Sequence, residues 1–197
     1  MNVQIAAQQL ARMRGMVGLY HKQFFSDVRF TTVVVLVLGG FGFWGVEELF
    51  LVVPFIALMG ACQTAFDASY LIFARQYAAS LETYINDQLG DEVLVASRLE
   101  SAYLFPLDVP KVVTLAAPPH FTWFGFMTAF YTLIGVGAFV VGLILGLPVA
   151  SDAGDVWLVS YLGVLAGLTV VALAVGWWWF PAGNGERRLR EILDSAF

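Results

Sequence analysis

Three polar side chains, at spacings of four and three residues, could together form a binding site on one face of a helix. They are Gln63, Asp67 and Tyr70, and they follow a long apolar stretch. Residues three and four apart lie on the same side of an α-helix, so these groups are expected to form a polar strip at the inner end of a membrane span. Ionisable residues in membranes usually mark transport pathways, which makes a vestibule one interpretation. We favour the simpler interpretation that Asp67 is an interfacial residue paired with Arg29 or Arg75.

The two histidines and the single cysteine are the other residues that could bind a cofactor or act as nucleophiles. His21 and His120 are both expected near the inner interface, where they could serve as haem or pigment ligands, but interfacial histidines without a ligand are far commoner. Cys62 lies in an apolar run with no charged neighbour to activate its thiol. The chain contains no CxxC, HExxH, GxSxG or P-loop pattern. We therefore predict no catalytic residue, no metal and no cofactor, and a protein that is not an enzyme.

The distribution of charge predicts how the chain crosses a membrane. Of its 197 residues, 59% are hydrophobic and 13% are charged, whereas soluble domains are about 25% charged. Lys and Arg are enriched in the cytoplasmic loops of membrane proteins. All ten lie in the two terminal segments or in the connection between the second and third of four apolar stretches, which predicts a multi-pass protein of the cell (inner) membrane with both termini cytoplasmic. The two intervening connections carry only the acidic residues Glu47, Glu48, Asp152 and Asp155. The ten cations are Arg12, Arg14, Lys22, Arg29, Arg75, Arg98, Lys111, Arg187, Arg188 and Arg190.

The predicted fold class is an all-α integral membrane protein with four transmembrane helices in two hairpins and a cytoplasmic helical extension. The spans run from about 30 to 46, 49 to 66, 121 to 147 and 156 to 180, each near or above the roughly 17 residues that a crossing requires. Residues 148–155 are expected to form the second outer loop, and several prolines interrupt the connection at 105–120. We find no residue-level similarity between the two hairpins, so we favour independent hairpins over an internal repeat. The predicted parts are a cytoplasmic or interfacial N-terminal helix at 1–29, a first transmembrane hairpin at 30–66, a cytoplasmic helical extension with a proline-rich connection at 67–120, a second transmembrane hairpin at 121–180 and a cytoplasmic tail at 181–197.

The second span is predicted to continue far beyond the membrane as one helix. No helix stop occurs before the glycine at position 90, a residue type that is common just past a helix end. A helix from 49 to 89 would be about 60 Å long. Its aromatic residues recur at spacings of three and four, so Phe73, Tyr77 and Tyr84 are expected to be buried against the N-terminal helix or a short helix near 91–104. Glu82 is expected to contribute little to stability.

Glycine is the most informative residue type inside the predicted spans. Gly142 and Gly146 form a GxxxG pattern in the third span, and Gly163 and Gly167 form another in the fourth, where Ser160 extends the stripe. In lipid there is little hydrophobic force between helices, so small residues that permit close backbone contact drive association. We predict close helix packing at all four glycines. The partner helix could belong to the same chain or to another subunit.

These features favour a non-enzymatic membrane protein that acts in assembly, as a scaffold or accessory subunit of a membrane complex or as a self-assembling oligomer. The expected partners are the lipid bilayer and either further copies of the chain or a membrane-complex subunit. With a net charge of −5, no binding to nucleic acid is expected. An alternative function is an oligomeric channel or small transporter, whose pore would be lined by weakly polar groups.

Overall fold

A computed structural model describes residues 2–107, 109, 111–112, 114–117 and 120–196. The predicted all-α fold with four membrane-spanning helices is confirmed, because four helices are long and apolar enough to cross a bilayer. Three prolines of the predicted proline-rich connection, at positions 110, 118 and 119, lie outside the described residues. The elements are α1 (Val3–Phe43), α2 (Leu49–Leu89), α3 (Ala96–Tyr103), β1 (Lys111–Val112), β2 (Leu115–Ala116), α4 (Trp123–Asp152), α5 (Asp155–Trp179) and α6 (Asn184–Ala196).

Helices α1 and α2 are each 41 residues long. We expected an N-terminal helix within residues 1–29 and a separate span beginning near residue 30, and the structure joins the two into one uninterrupted helix. Gly15 and Gly18 weaken a helix by about 1 kcal/mol each relative to alanine, but they do not break it. The second helix ends at Leu89, where the sequence predicts its end, and Gly90 follows with a φ of 66°.

The loop between α4 and α5 is shorter than the sequence suggests. We expected residues 148–155 to form it, but α4 continues to Asp152 and α5 begins at Asp155. Pro148 removes only one main-chain hydrogen bond, so it can be accommodated inside a membrane helix. Ala150, in the last turn of α4, is buried, and its packing stabilises the extended end of the helix. Gly154, with a φ of 110°, makes the turn between the two helices.

The chain forms two compact units. Unit 1 comprises Met1–Phe24, Phe66–Thr128 and Trp177–Phe197, and unit 2 comprises Phe25–Ala65 and Ala129–Gly176. The core of unit 1 packs α1 against α2, and its buried residues are Ala6, Leu10, Met13, Ala78, Leu81 and Ile85. The core of unit 2 includes Val35, Val53 and Ala57, with Leu38, Ile56, Ala138 and Phe139 packed around them.

The face of α2 that lies in the core of unit 1 is not the aromatic stripe. The prediction that Phe73 is buried was wrong, since its side chain is 38% exposed, while Tyr77 and Tyr84 are half-buried against the core. The buried face is instead rich in alanine, including Ala74 and Ala78. Small side chains let α1 approach closely, so the aromatic residues lie to one side of the contact.

Candidate functional site

The GxxxG glycines of α4 contact α2 inside unit 2. Both Gly142 and Gly146 are buried. A Cβ atom added at Gly142 would lie 2.9 Å from side-chain atoms of Val53 and Pro54. Contacts this short exclude any larger side chain unless the helices move apart. These two glycines therefore set how closely α4 and α2 pack.

Gly146 lies against a carbonyl group that the sequence of α2 leaves without its usual partner. Proline has no N–H, so Pro54 cannot donate the helical hydrogen bond to the carbonyl oxygen of Phe50. A Cβ atom at Gly146 would lie 3.1 Å from that oxygen. The glycine thus lets the backbone of α4 cover the carbonyl, a close approach that Cα–H contacts to oxygen favour at helix–helix interfaces.

The GxxxG glycines of α5 are placed differently. Gly163 and Gly167 are exposed, and no described atom outside their own helical neighbourhood lies within 4 Å of a Cβ built at either position. Helix α5 instead contacts the rest of unit 2 through Leu165 and Tyr161. The ring of Tyr161 lies 5.7 Å from that of Phe55. At about 100° per residue, the glycines lie roughly 120–160° round the helix from Leu165 and Tyr161. Their face points away from the rest of unit 2.

The three side chains of the predicted polar strip of α2 differ in how deeply they are buried. Gln63 is exposed and its amide nitrogen lies 3.4 Å from a carboxylate oxygen of Asp27. Asp67 is only 3% exposed. Tyr70 is exposed, and its ring lies 5.3 Å from that of Tyr20. Along this helix, Gln63 and Tyr70 are therefore exposed, whereas Asp67 between them is buried.

The two histidines and the cysteine lie in different environments. The ring of His21 is half-buried, 5.5 Å from that of Phe124, and burial lowers the pKa of this histidine. His120 and Cys62 are exposed. Within the part of the chain that the structure describes, no group of three or more His, Cys, Asp or Glu residues could hold a metal ion.

The most organised polar site is one that the sequence reasoning missed, a cluster of two arginines and two glutamates in unit 1. We call it the ion-pair cluster. Arg14 of α1 pairs with both Glu82 of α2 and Glu100 of α3, and Arg75 of α2 also contacts Glu100. Ser97, next to the start of α3, donates both its backbone N–H and its hydroxyl group to Glu82. The cluster therefore ties three helices together with balanced charge.

Arg75 is the most buried member of the ion-pair cluster, with a side chain that is 0% exposed. Its guanidinium group donates to the Phe105 carbonyl at 2.7 Å, to the Ser101 hydroxyl at 3.3 Å and to Glu100 at 3.3 Å. It also lies 4.3 Å from the centre of the Phe105 ring. Burial lowers the pKa of Arg75, and the charge of Glu100 opposes that shift. Because arginine stays protonated in proteins, this is a fixed buried cation.

The environment of Glu82 argues against a second expectation. We expected it to contribute little to stability, but it is 3% exposed and bonded to Arg14 and Ser97. One signal in the sequence could have found it. Positions 71, 75, 78, 82 and 85 alternate by four and three residues, so Arg75 and Glu82 lie on the same helix face as Leu71, Ala78 and Ile85. Charged residues on an otherwise apolar helix face predict that each is buried against a partner of opposite charge from another element.

Replacing Glu82 with glutamine is expected to lower the melting temperature at neutral pH and to lose that effect in acid. Burial by itself raises the pKa of Glu82, but hydrogen bonds from Ser97 and Arg14 outweigh it and hold the pKa below the ordinary 4.5. Because the folded pKa is lowered, the carboxylate stabilises the fold above the pKa of the unfolded chain. This contribution is lost as the pH falls through the folded pKa.

The melting temperatures of the wild type and of Glu82→Gln are measured from neutral pH down to pH values below the ordinary pKa of 4.5. Glu92→Gln is the matched control, because the Glu92 carboxylate pairs with Arg98 at the surface. A gap between wild type and Glu82→Gln that stayed the same in acid would contradict the role given to the ionised carboxylate. No protein-family model, curated protein or solved structure matches the chain.

Proposed function

We propose that the protein acts in assembly, as a subunit or scaffold of a membrane complex, and that α5 is the helix that contacts its partner. The observation that carries this proposal is the exposure of α5. Of its 25 residues, all of them described, only Leu165 is fully buried. A helix that contacts its own chain along one narrow face leaves most of its surface to lipid or to another protein.

Glycine on the outward face of α5 favours another protein over lipid. A glycine gains nothing from contact with acyl chains, but it lets two backbones approach closely. The same pattern in α4, at Gly142 and Gly146, makes such a contact with α2. Ser160 lies one turn from Gly163 and extends the small-residue face. These points support a helix–helix contact centred on Gly163 and Gly167, made with a second copy of the chain or with a different membrane subunit.

The variant that tests this proposal is Gly167→Leu. A leucine there would hold two helices apart and forfeit their packing, so the particle extracted in mild detergent is expected to lose mass while the melting temperature stays near that of the wild type. Ala166→Leu is the matched control, because it adds a large side chain to the neighbouring exposed position. Equal masses for wild type, Gly167→Leu and Ala166→Leu would contradict a contact at this face. Ion flux through reconstituted vesicles would support the alternative of a channel.

We also propose that both termini and the connection between α2 and α4 lie in the cytoplasm, as the distribution of Lys and Arg favours. The test uses single cysteines in a Cys62→Ser background at four exposed positions. An impermeant maleimide added to intact cells is expected to label Glu48→Cys and Ser151→Cys, and to leave Thr83→Cys and Arg187→Cys unlabelled. The reverse labelling pattern would overturn this orientation.

A further inference from the structure

Helix α2 exposes no charged side chain over most of its length. From Leu49 to Asn86, all of it described, the only charged residues are Asp67, Arg75 and Glu82, and each of them is buried. At 1.5 Å per residue this stretch is about 55 Å long. A helix surface in water usually carries charged residues opposite its apolar face. The absence of exposed charge along this stretch of α2 is therefore unusual for a helix that leaves the membrane.

The outward surface of α2 in unit 1 is aromatic instead. Phe66, Tyr70 and Phe73 are all exposed, and the rings of Phe66 and Tyr70 meet edge to face with centres 4.8 Å apart. These side chains continue the exposed apolar surface of the preceding span, which includes Met59. Aromatic residues with a polar edge, such as tyrosine, are enriched where membrane meets water.

Two other segments of unit 1 carry exposed aromatic residues where helices begin or end. At the start of α4, Trp123 and Phe126 are exposed and their rings stack with centres 5.0 Å apart. At the end of α5, Trp177 and Trp178 are exposed, and the guanidinium carbon of Arg188 lies 5.4 Å from the Trp178 ring. Tryptophan beside arginine suits a region that is apolar on one side and contains phosphate groups on the other.

We propose that the exposed aromatic residues of these three segments form a lipid-binding collar, so that the part of unit 1 that carries them lies within the phospholipid headgroup layer rather than free in water. The length of α2 agrees with this placement. From Leu49 to Phe73 the helix rises about 36 Å, which exceeds the hydrocarbon thickness of about 30 Å but falls within the 40–45 Å that include the headgroups. Along α2, Phe66, Tyr70 and Phe73 continue the exposed face of Met59 on the same helix, which favours lipid over a partner protein as the occupant of the collar. This inference does not depend on the proposed role in assembly.

Spin-label accessibility in the full-length chain tests the collar. Nitroxides are attached to Met59→Cys, Phe73→Cys and Thr83→Cys in a Cys62→Ser background, in vesicles of phosphatidylcholine with phosphatidylglycerol. All three native side chains are exposed. The ratio of collision with oxygen to collision with a water-soluble nickel chelate is expected to fall in steps from 59 to 73 to 83. A ratio at 73 equal to that at 83 would place this face in water. Low collision with both reagents at 73 would show that protein covers it, and either result overturns the collar.

A second measurement uses a variant in which every collar residue of α2 is unchanged. A variant that keeps only Trp123 among the six tryptophans is reconstituted with brominated phosphatidylcholines. Bromine near the headgroup is expected to quench its fluorescence more than bromine near the bilayer centre. Stronger quenching by the deep bromine, or no quenching at all, would contradict a headgroup-level collar.

Discussion

Replacing Arg75 with alanine is expected to lower the free energy of unfolding by about 3–5 kcal/mol, the usual cost of removing one partner from a buried ion pair. The loss is large because the guanidinium group serves three acceptors at once, namely Glu100, Ser101 and the Phe105 carbonyl. Without it, the Glu100 carboxylate keeps only Arg14 as an ionic partner among the described contacts. Chemical denaturation in detergent, followed by helix content, measures the change.

Arg98→Ala is the matched control for Arg75→Ala. Arg98 pairs with Glu92, and both side chains are more than half exposed. Exposed pairs of this kind contribute about 0–1 kcal/mol, so the control is expected to unfold nearly as the wild type does. If Arg75→Ala and Arg98→Ala unfolded at the same denaturant concentration, the ion-pair cluster would not be the element that holds α3 against α1 and α2.

Replacing Gly146 with leucine is expected to destabilise unit 2 by at least about 1–3 kcal/mol, the range found for overpacked cores. The new side chain would meet main-chain atoms of Phe50, which cannot rotate away as a side-chain end can. It would also separate α4 from the carbonyl that Pro54 leaves unsatisfied. The free-energy cost of leaving this carbonyl without a partner adds to the destabilisation.

The control for Gly146→Leu lies on the same helix. At Gly137, no described atom lies within 4 Å of an added Cβ outside the helix itself, and the residue is exposed. Gly137→Leu is therefore expected to leave the melting temperature near that of the wild type. Equal destabilisation by both substitutions would mean that leucine acts through the α4 backbone, and the α2–α4 contact would then not explain Gly146.

The four spans could be predicted because a bilayer imposes length and hydropathy locally, one helix at a time. The end of α2 at Leu89 was predictable for the same reason, since a glycine follows it directly. The ion-pair cluster could not be found in this way. Arg14 and Glu82 are 68 residues apart in sequence, and only the packing of α1 on α2 brings them together. The burial of alanine in place of Phe73 likewise depends on how closely two particular helices approach.

The glycines illustrate the same limit. The GxxxG patterns of α4 and α5 look alike in sequence, and both predict close packing. In the structure Gly142 and Gly146 lie against α2, whereas Gly163 and Gly167 face outward. Which face of a helix meets its own chain depends on the neighbours of that helix. For α5 these are residues such as Phe55, which are distant in sequence.

The mass of the wild-type particle, extracted in mild detergent and corrected for bound lipid and detergent, tests the proposed assembly most directly. The chain has a mass of 21.6 kDa. If α5 contacts a partner, the protein mass will be a multiple of 21.6 kDa or will include a second polypeptide in fixed ratio, and Gly167→Leu will reduce it. A single 21.6 kDa chain, both in detergent and in nanodiscs formed directly from the native membrane, would contradict the assembly role.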